Sequence, residues 1–198
     1  MSGVLLVCTA NRCRSAIAER LMRAAVPSQL PVSSAGLRAR AGAPIWPGAA
    51  AELERRGVSA LGFDSHPVTA ALVNGADLVL TATRAHRDEV LRAHPAALRR
   101  VFTWRELAWL LDDLDQESLP AGGALERLRG LPAAAAGRRG LLTAPAPDDL
   151  DVADPVGLPD AAMSVAAEQI ERALRPILRV LGVDLTAGTD LTAVSQEN

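Results

Sequence analysis

Val4-Leu5-Leu6-Val7-Cys8 is apolar at every position, so a strand formed there must be covered on both faces. Five residues then separate Cys8 from Arg14-Ser15, where a helical pattern begins with Ala16, Ile17, Ala18, Leu21, Met22 and Ala25. A buried strand, a tight loop and an amphipathic helix make the first half of a βαβ unit, which predicts an α/β chain with a parallel sheet. The loop between them carries a thiol at one end and a guanidinium at the other. Backbone N–H groups of such a loop, with the helix N-terminus behind them, form an anion site.

The pattern continues along the chain. Val32-Ser33-Ser34-Ala35-Gly36 reads as a short strand, a helix from Pro44 or Pro47 stops at Gly57, and Asp77 to Ala82 is a second buried strand. Arg84 to Arg92 follows as a helix and Arg100 to Trp104 as another strand. A helix over 105–117 would turn Leu107, Leu110, Leu111 and Leu114 inward. Residues 118–150, dense in Pro, Gly and Ala, read as mobile apart from a helical piece near Leu125 to Leu128. A long helix from Asp160 to Leu181 places Val165, Ile170, Leu174, Ile177 and Leu178 on its buried side, with Pro176 inside it. The expected organisation is one domain over 1–183 with an insertion at about 105–150, and a flexible tail over 184–198.

Composition narrows the function. With 49% hydrophobic residues, a net charge of −2 and 198 residues, the chain is long enough for a sizeable core and lacks the basic excess of a nucleic-acid binder. No apolar run reaches the ~20 residues of a membrane span, and no signal-peptide pattern precedes the first strand, so the expected location is the cytoplasm. Both cysteines lie in the opening stretch, too close for a stapling framework, which directs attention to thiol chemistry. No metal or cofactor is called for.

At the end of a parallel strand Cys8 occupies the position where α/β sheets bind ligands. The helix N-terminus, the loop N–H groups and a nearby arginine all favour its thiolate. Arg14 offers a planar fork that can hold two oxygens of a phosphate, which lysine does poorly. A lone cysteine at a strand end is ordinarily a small buried hydrophobe. A cysteine separated by five residues from Arg-Ser, between strand and helix, is better explained as a nucleophile in an oxyanion cradle.

These residues carry a resemblance. Cys8-Thr9-Ala10-Asn11-Arg12-Cys13-Arg14-Ser15 is similar to the C-x-G-N-x-C-R-S signature of the low-molecular-weight protein tyrosine phosphatases. Ile17-Ala18-Glu19, Ser34-Ala35-Gly36, Asp77-Leu78-Val79-Leu80 and Asp154-Pro155 resemble further family motifs in the right order. The resemblance implies a three-layer αβα sandwich around a four-stranded parallel sheet. It also implies a cysteine-dependent phosphomonoester hydrolase working through a phosphocysteine. Cys8 would attack phosphorus, the loop from Thr9 through Arg14 (Thr9, Ala10, Asn11, Arg12, Cys13, Arg14) would hold the phosphate, and Asp154 would protonate the leaving phenolate.

Asn11 would take a left-handed backbone conformation, Ser15 would donate to the Cys8 sulfur, and Ser34 and His66 would support the loop. Cys13 could pair reversibly with Cys8 under oxidation. The implied substrate is a phosphotyrosine-containing protein or a small aryl phosphate, with inorganic phosphate as product and neither nucleic acid nor membrane as partner. The chain departs from the pattern where the family glycine is Ala10, the proline after the serine is Ala16, and the aromatic residues after D-P are Val156 and Gly157. Trp46 is the remaining candidate for an aromatic substrate wall. Two alternatives use the same loop: an arsenate reductase drawing on an external small thiol, and a non-catalytic oxyanion-binding module.

Overall fold

The computed structural model describes residues 3–183, so the expected tail from Asp184 lies outside the described residues. Four strands, β1 (Val4–Cys8), β2 (Val32–Gly36), β3 (Leu78–Thr81) and β4 (Val101–Thr103), form one parallel sheet in the order β2-β1-β3-β4. β1 is central and buried at all five positions, as its unbroken apolar run requires. Its side chains alternate between two cores. Val4, Leu6 and Cys8 join Leu78, Leu80 and Phe102 on one face, while Leu5 and Val7 join Val79 and Val101 on the other.

Helices cover both faces. The larger core takes the apolar sides of α1 (Arg14–Ala25), α2 (Pro47–Arg55), α5 (Trp104–Leu110), α6 (Ala124–Arg138) and α7 (Asp160–Leu181). The smaller is closed by α3 (Ala70–Gly75) and α4 (Arg84–Ala93) through Val73 and Val90. The result is the αβα sandwich that the strand–helix alternation predicts. Because all four strands run the same way, their carboxyl ends share one edge. The loop after Cys8, the turn after Thr81 and the segment at Val152, whose N–H donates to Ala82 O at 2.8 Å, meet there.

Three local expectations are corrected. The helix expected over 105–117 ends at Leu110, and Leu111 and Leu114 stay buried from the turns that follow. The helical piece expected at Leu125 to Leu128 runs instead from Ala124 to Arg138, because Ala133 to Ala136 continue it and Leu128, Leu131 and Ala135 pack inward. Pro132 sits inside that helix without ending it. On α7, Val165 is exposed: the buried stripe runs through Met163, Ala166, Ala167, Ile170, Leu174, Ile177 and Leu178, and Val165 is turned away from it.

α2 and α7 are tied by a buried carboxylate. Glu52 accepts from Arg55, Arg56 and Ser164, and Arg56 also donates to Glu171 at 3.2 Å. Burial acts to raise the Glu52 carboxyl, but hydrogen bonds from Ser164, Arg56 and Arg55 outweigh it and hold the group below its ordinary value of 4.5. A carboxyl lowered by folding contributes stability above its unfolded value, and that contribution is lost as pH falls through the folded one. Glu52→Gln is therefore expected to destabilise the protein by about 2 kcal/mol at pH 7 in urea unfolding, with the deficit shrinking below pH 4.5. A deficit that does not change with pH would remove the carboxylate from this role.

Candidate active site

Cys8 ends β1 and is 2% exposed, with its sulfur 3.0 Å from Ser15 Oγ. The chain then turns through Thr9 to Cys13 and enters α1 at Arg14. Among the described residues no side chain caps this helix, and the backbone N–H groups of residues 10–15 find no protein acceptor. These orphan donors, with the helix dipole behind them, suit an anion better than any neutral group.

Asn11 gives the loop its shape. Its φ of 53° is left-handed, which asparagine tolerates, and its side chain is buried. The amide donates to Ser15 Oγ at 2.9 Å and to Ser34 Oγ at 2.7 Å, and its carbonyl accepts from the His66 N–H at 2.8 Å. Since Ser15 Oγ already accepts from Asn11, its own proton is free for the Cys8 sulfur. Ser34 O–H donates to Glu19, which also pairs with Arg23 at 3.1 Å. His66 takes part through its backbone N–H, and its side chain is exposed. Gly36 lies beneath the loop, where a Cβ would stand 2.6 Å from Thr9 O and 2.7 Å from Asn11 N.

Arg14 is 3% exposed, and its guanidinium is held by one acceptor in its own loop and two from a segment far along the chain. Nη1 donates to Val152 O at 3.0 Å, and Nη2 donates to Thr9 Oγ1 at 3.1 Å and to Asp154 Oδ2 at 2.7 Å. Asp154 is thereby brought to the loop across 140 residues of sequence. Its other oxygen accepts from Val156 N at 3.2 Å, which sets the turn into Pro155. The segment before it is anchored by Arg84, whose backbone and side chain both donate to Asp151.

The rim is formed by Arg12 and Trp46. Arg12 Nε donates to Pro44 O at 2.7 Å and its guanidinium lies 5.3 Å from the Trp46 ring centre, while Trp46 N donates to Arg12 O at 2.7 Å. Trp46 is 37% exposed, and Ala10, within the loop, is exposed. Cys13 faces away into the core, 3.3 Å from Met163 Sδ. Burial, with a smaller contribution from the Cys8 charge, pushes the Cys13 thiol up to about 12, so it stays protonated at neutral pH. Both cysteines are free thiols.

Sequence reasoning missed several contributors. His86, at the start of α4, lies 2.9 Å from Thr9 Oγ1. Glu19 beneath Ser34, Arg84 behind Asp151 and the steric demand at Gly36 were also unread as site features. A lone histidine near a helix start carries no signal, and only the crossing of α4 behind the loop gives it one.

The sequence profile of the low molecular weight phosphotyrosine protein phosphatase family matches residues 3–115. The probable low molecular weight protein-tyrosine-phosphatase EpsP of Ralstonia solanacearum is 36% identical over 104 residues, spanning 52% of this chain and 71% of its own length. A protein-arginine-phosphatase of Bacillus subtilis (strain 168) is 33% identical over 106 residues, 52% of this chain and 70% of the relative. The crystal structure of the Erwinia amylovora tyrosine phosphatase AmsI has the same fold, with a TM-score of 0.66 at 22% identity over 91% of this chain and 92% of its own. Asp154 lies beyond the matched residues 3–115, so its place beside Arg14 rests on the geometry alone.

Proposed function

This chain belongs to the low molecular weight phosphotyrosine protein phosphatase family, and we propose that it hydrolyses phosphotyrosine in proteins through a phosphocysteine at Cys8. The observation that best supports this assignment of roles is the Arg14–Asp154 pair, a carboxyl group 2.7 Å from the guanidinium proposed to clamp the phosphate. Arg14 and the loop N–H groups bind the phosphate oxygens as Arg14 Nη2 exchanges Asp154 for the substrate. The Cys8 sulfur attacks phosphorus, the bond to the phenolic oxygen breaks, and protonated Asp154 gives its proton to that oxygen. In the second step the Asp154 carboxylate takes a proton from water, which attacks phosphorus. The S–P bond breaks, and Ser15 donates to the departing thiolate. The cytoplasm, which keeps Cys8 reduced, is the compartment this chemistry suits.

The relatives include both a tyrosine and an arginine phosphatase, and the rim supports tyrosine. A phenol ring can stack on Trp46, which is worth about 0.5 to 1.5 kcal/mol beyond area burial. A phosphoarginine brings a guanidinium toward Arg12, whose like charge is held at the mouth by Pro44 O and the indole face. A reductase route through further cysteines has no thiol to use after Cys13.

The test is a pair of peptides of one sequence, phosphorylated on tyrosine or on arginine, with acid-quench mass spectrometry for the phosphoenzyme. Turnover through phospho-Cys8 is expected, with kcat/KM about 10-fold or more higher for the tyrosine peptide. Arg12→Ala should narrow that preference. A preference for the arginine peptide would overturn the substrate assignment, and turnover without a phosphoenzyme would overturn the mechanism.

A further inference from the structure

His86 and Thr9 form a hydrogen-bonded strut behind the phosphate clamp. Thr9 Oγ1 accepts from Arg14 Nη2 at 3.1 Å and lies 2.9 Å from His86 Nε2. The other ring nitrogen, Nδ1, lies 2.6 Å from Thr83 Oγ1, and Thr83 also caps α4 by accepting from the His86 backbone N–H at 3.2 Å. The imidazole is thus held at both nitrogens, on the first turn of a helix that starts where β3 ends. We propose that His86 is a positioning residue that fixes the plane of the Arg14 guanidinium through Thr9, a role that rests on reading Arg14 as the phosphate clamp.

The direction of the hydrogen bonds follows from charge. Arg14 donates to Thr9, so the Thr9 hydroxyl is left with its own proton to give. The ring nitrogen facing this cationic end is favoured as the one with the lone pair, so we assign Thr9 O–H as donor to Nε2 and Nδ1–H as donor to Thr83. Each link then polarises the next in one sense, from Arg14 to Thr9 to His86 to Thr83. A neutral ring is required, and burial, followed by the positive charge of Arg14, lowers His86 to about 4, against smaller opposing effects of Asp154, Glu89 and Asp151.

The strut has a specific task in the reaction. Of the three acceptors on the Arg14 guanidinium, Asp154 is the one that must release it when phosphate binds. Val152 O and Thr9 Oγ1 remain, one on each terminal nitrogen, and keep the fork from rotating. Thr9 can do this only while its hydroxyl is itself held, and His86 is the side chain that holds it. Without His86 the hydroxyl is free to turn with its threonine, and Arg14 loses one of two fixed anchors at the moment charge builds on phosphorus.

A double-mutant cycle on kcat/KM for an aryl phosphate and on vanadate affinity tests this. His86→Ala and Thr9→Val are each expected to lower kcat/KM by about 10-fold and to weaken vanadate by a similar factor. The double variant is expected to be no worse than either single one, because both cut the same strut. Losses that multiply in the double variant would overturn the proposal. So would a His86→Ala protein with a lowered melting temperature but unchanged kcat/KM and vanadate affinity. If the alanine variant does not fold, His86→Gln takes its place in the cycle, with the same two outcomes deciding. Should the wild type fail to hydrolyse aryl phosphates, the proposed function fails by itself, and the vanadate arm still decides whether His86 and Thr9 act together on Arg14.

Discussion

Replacing Cys8 with serine is expected to lower steady-state turnover of aryl phosphates by about 10⁴-fold or more while leaving oxyanion binding intact. The substitution puts an oxygen where the sulfur stands, 3.0 Å from Ser15 Oγ at the end of a strand buried on both faces. A neutral hydroxyl is a much weaker nucleophile than a thiolate, and a seryl phosphate is a poorer intermediate to break down, so both steps suffer. Binding depends on other groups. The loop is held by Asn11 through Ser15, Ser34 and the His66 N–H, and Arg14 by Val152 O and Thr9; of these groups Ser15 also touches the Cys8 sulfur, and a serine oxygen can accept the same hydrogen bond. Titration of the variant with inorganic phosphate should give an affinity no weaker than that of the wild type, since the groups that donate to the oxyanion are unchanged. Turnover that survives the substitution would remove Cys8 as nucleophile. Loss of phosphate binding together with turnover would show that the loop had lost its shape, and Asn11 would then not be the residue that sets it.

What could be read from the sequence follows from how local each feature is. The loop from Cys8 to Ser15 was legible because its thiol, its guanidinium and its boundaries are contiguous, and because a fully apolar strand leaves few places for it to sit. The sheet was legible for the same reason in β3, where four consecutive residues are buried. Asp154 was a candidate only through the residue after it. Four aspartates lie between residues 148 and 154, and spacing alone does not say which reaches Arg14. The fold chooses: Val152 N seats on Ala82 O, Arg84 holds Asp151, and the next acidic side chain arrives at the clamp. His86 was beyond reach, since its role depends on α4 starting behind Thr9. The extent of α6 was misjudged because glycine and proline suggested irregular chain, whereas burial of Leu128, Leu131 and Ala135 on the larger core outweighs the cost of Pro132.

Asp154→Asn is expected to separate the two jobs of the carboxylate. As general acid its loss should matter in proportion to the basicity of the leaving group. Turnover of phenyl phosphate should fall by about 10³-fold, whereas p-nitrophenyl phosphate, whose phenolate leaves without help, should form the phosphoenzyme with a loss of about 10-fold or less. The same variant would lack the base proposed to activate water in the second step, so with the nitrophenyl ester the phosphoenzyme should accumulate and product should appear as a burst. The second job is the ion pair. In the wild type Asp154 Oδ2 holds Arg14 Nη2 at 2.7 Å, and an incoming phosphate must displace it. Asparagine can keep the turn, because its oxygen still accepts from Val156 N, yet it presents no charge to Arg14. Phosphate and vanadate should therefore bind the variant more tightly than the wild type, by about 10-fold, even as turnover falls. An equal loss in the rate of phosphoenzyme formation from the two esters would show that Asp154 is not the acid. Weaker oxyanion binding would show that the pair orders the clamp and does not compete for it, and Val152 O and Thr9 would then be insufficient to hold Arg14 alone.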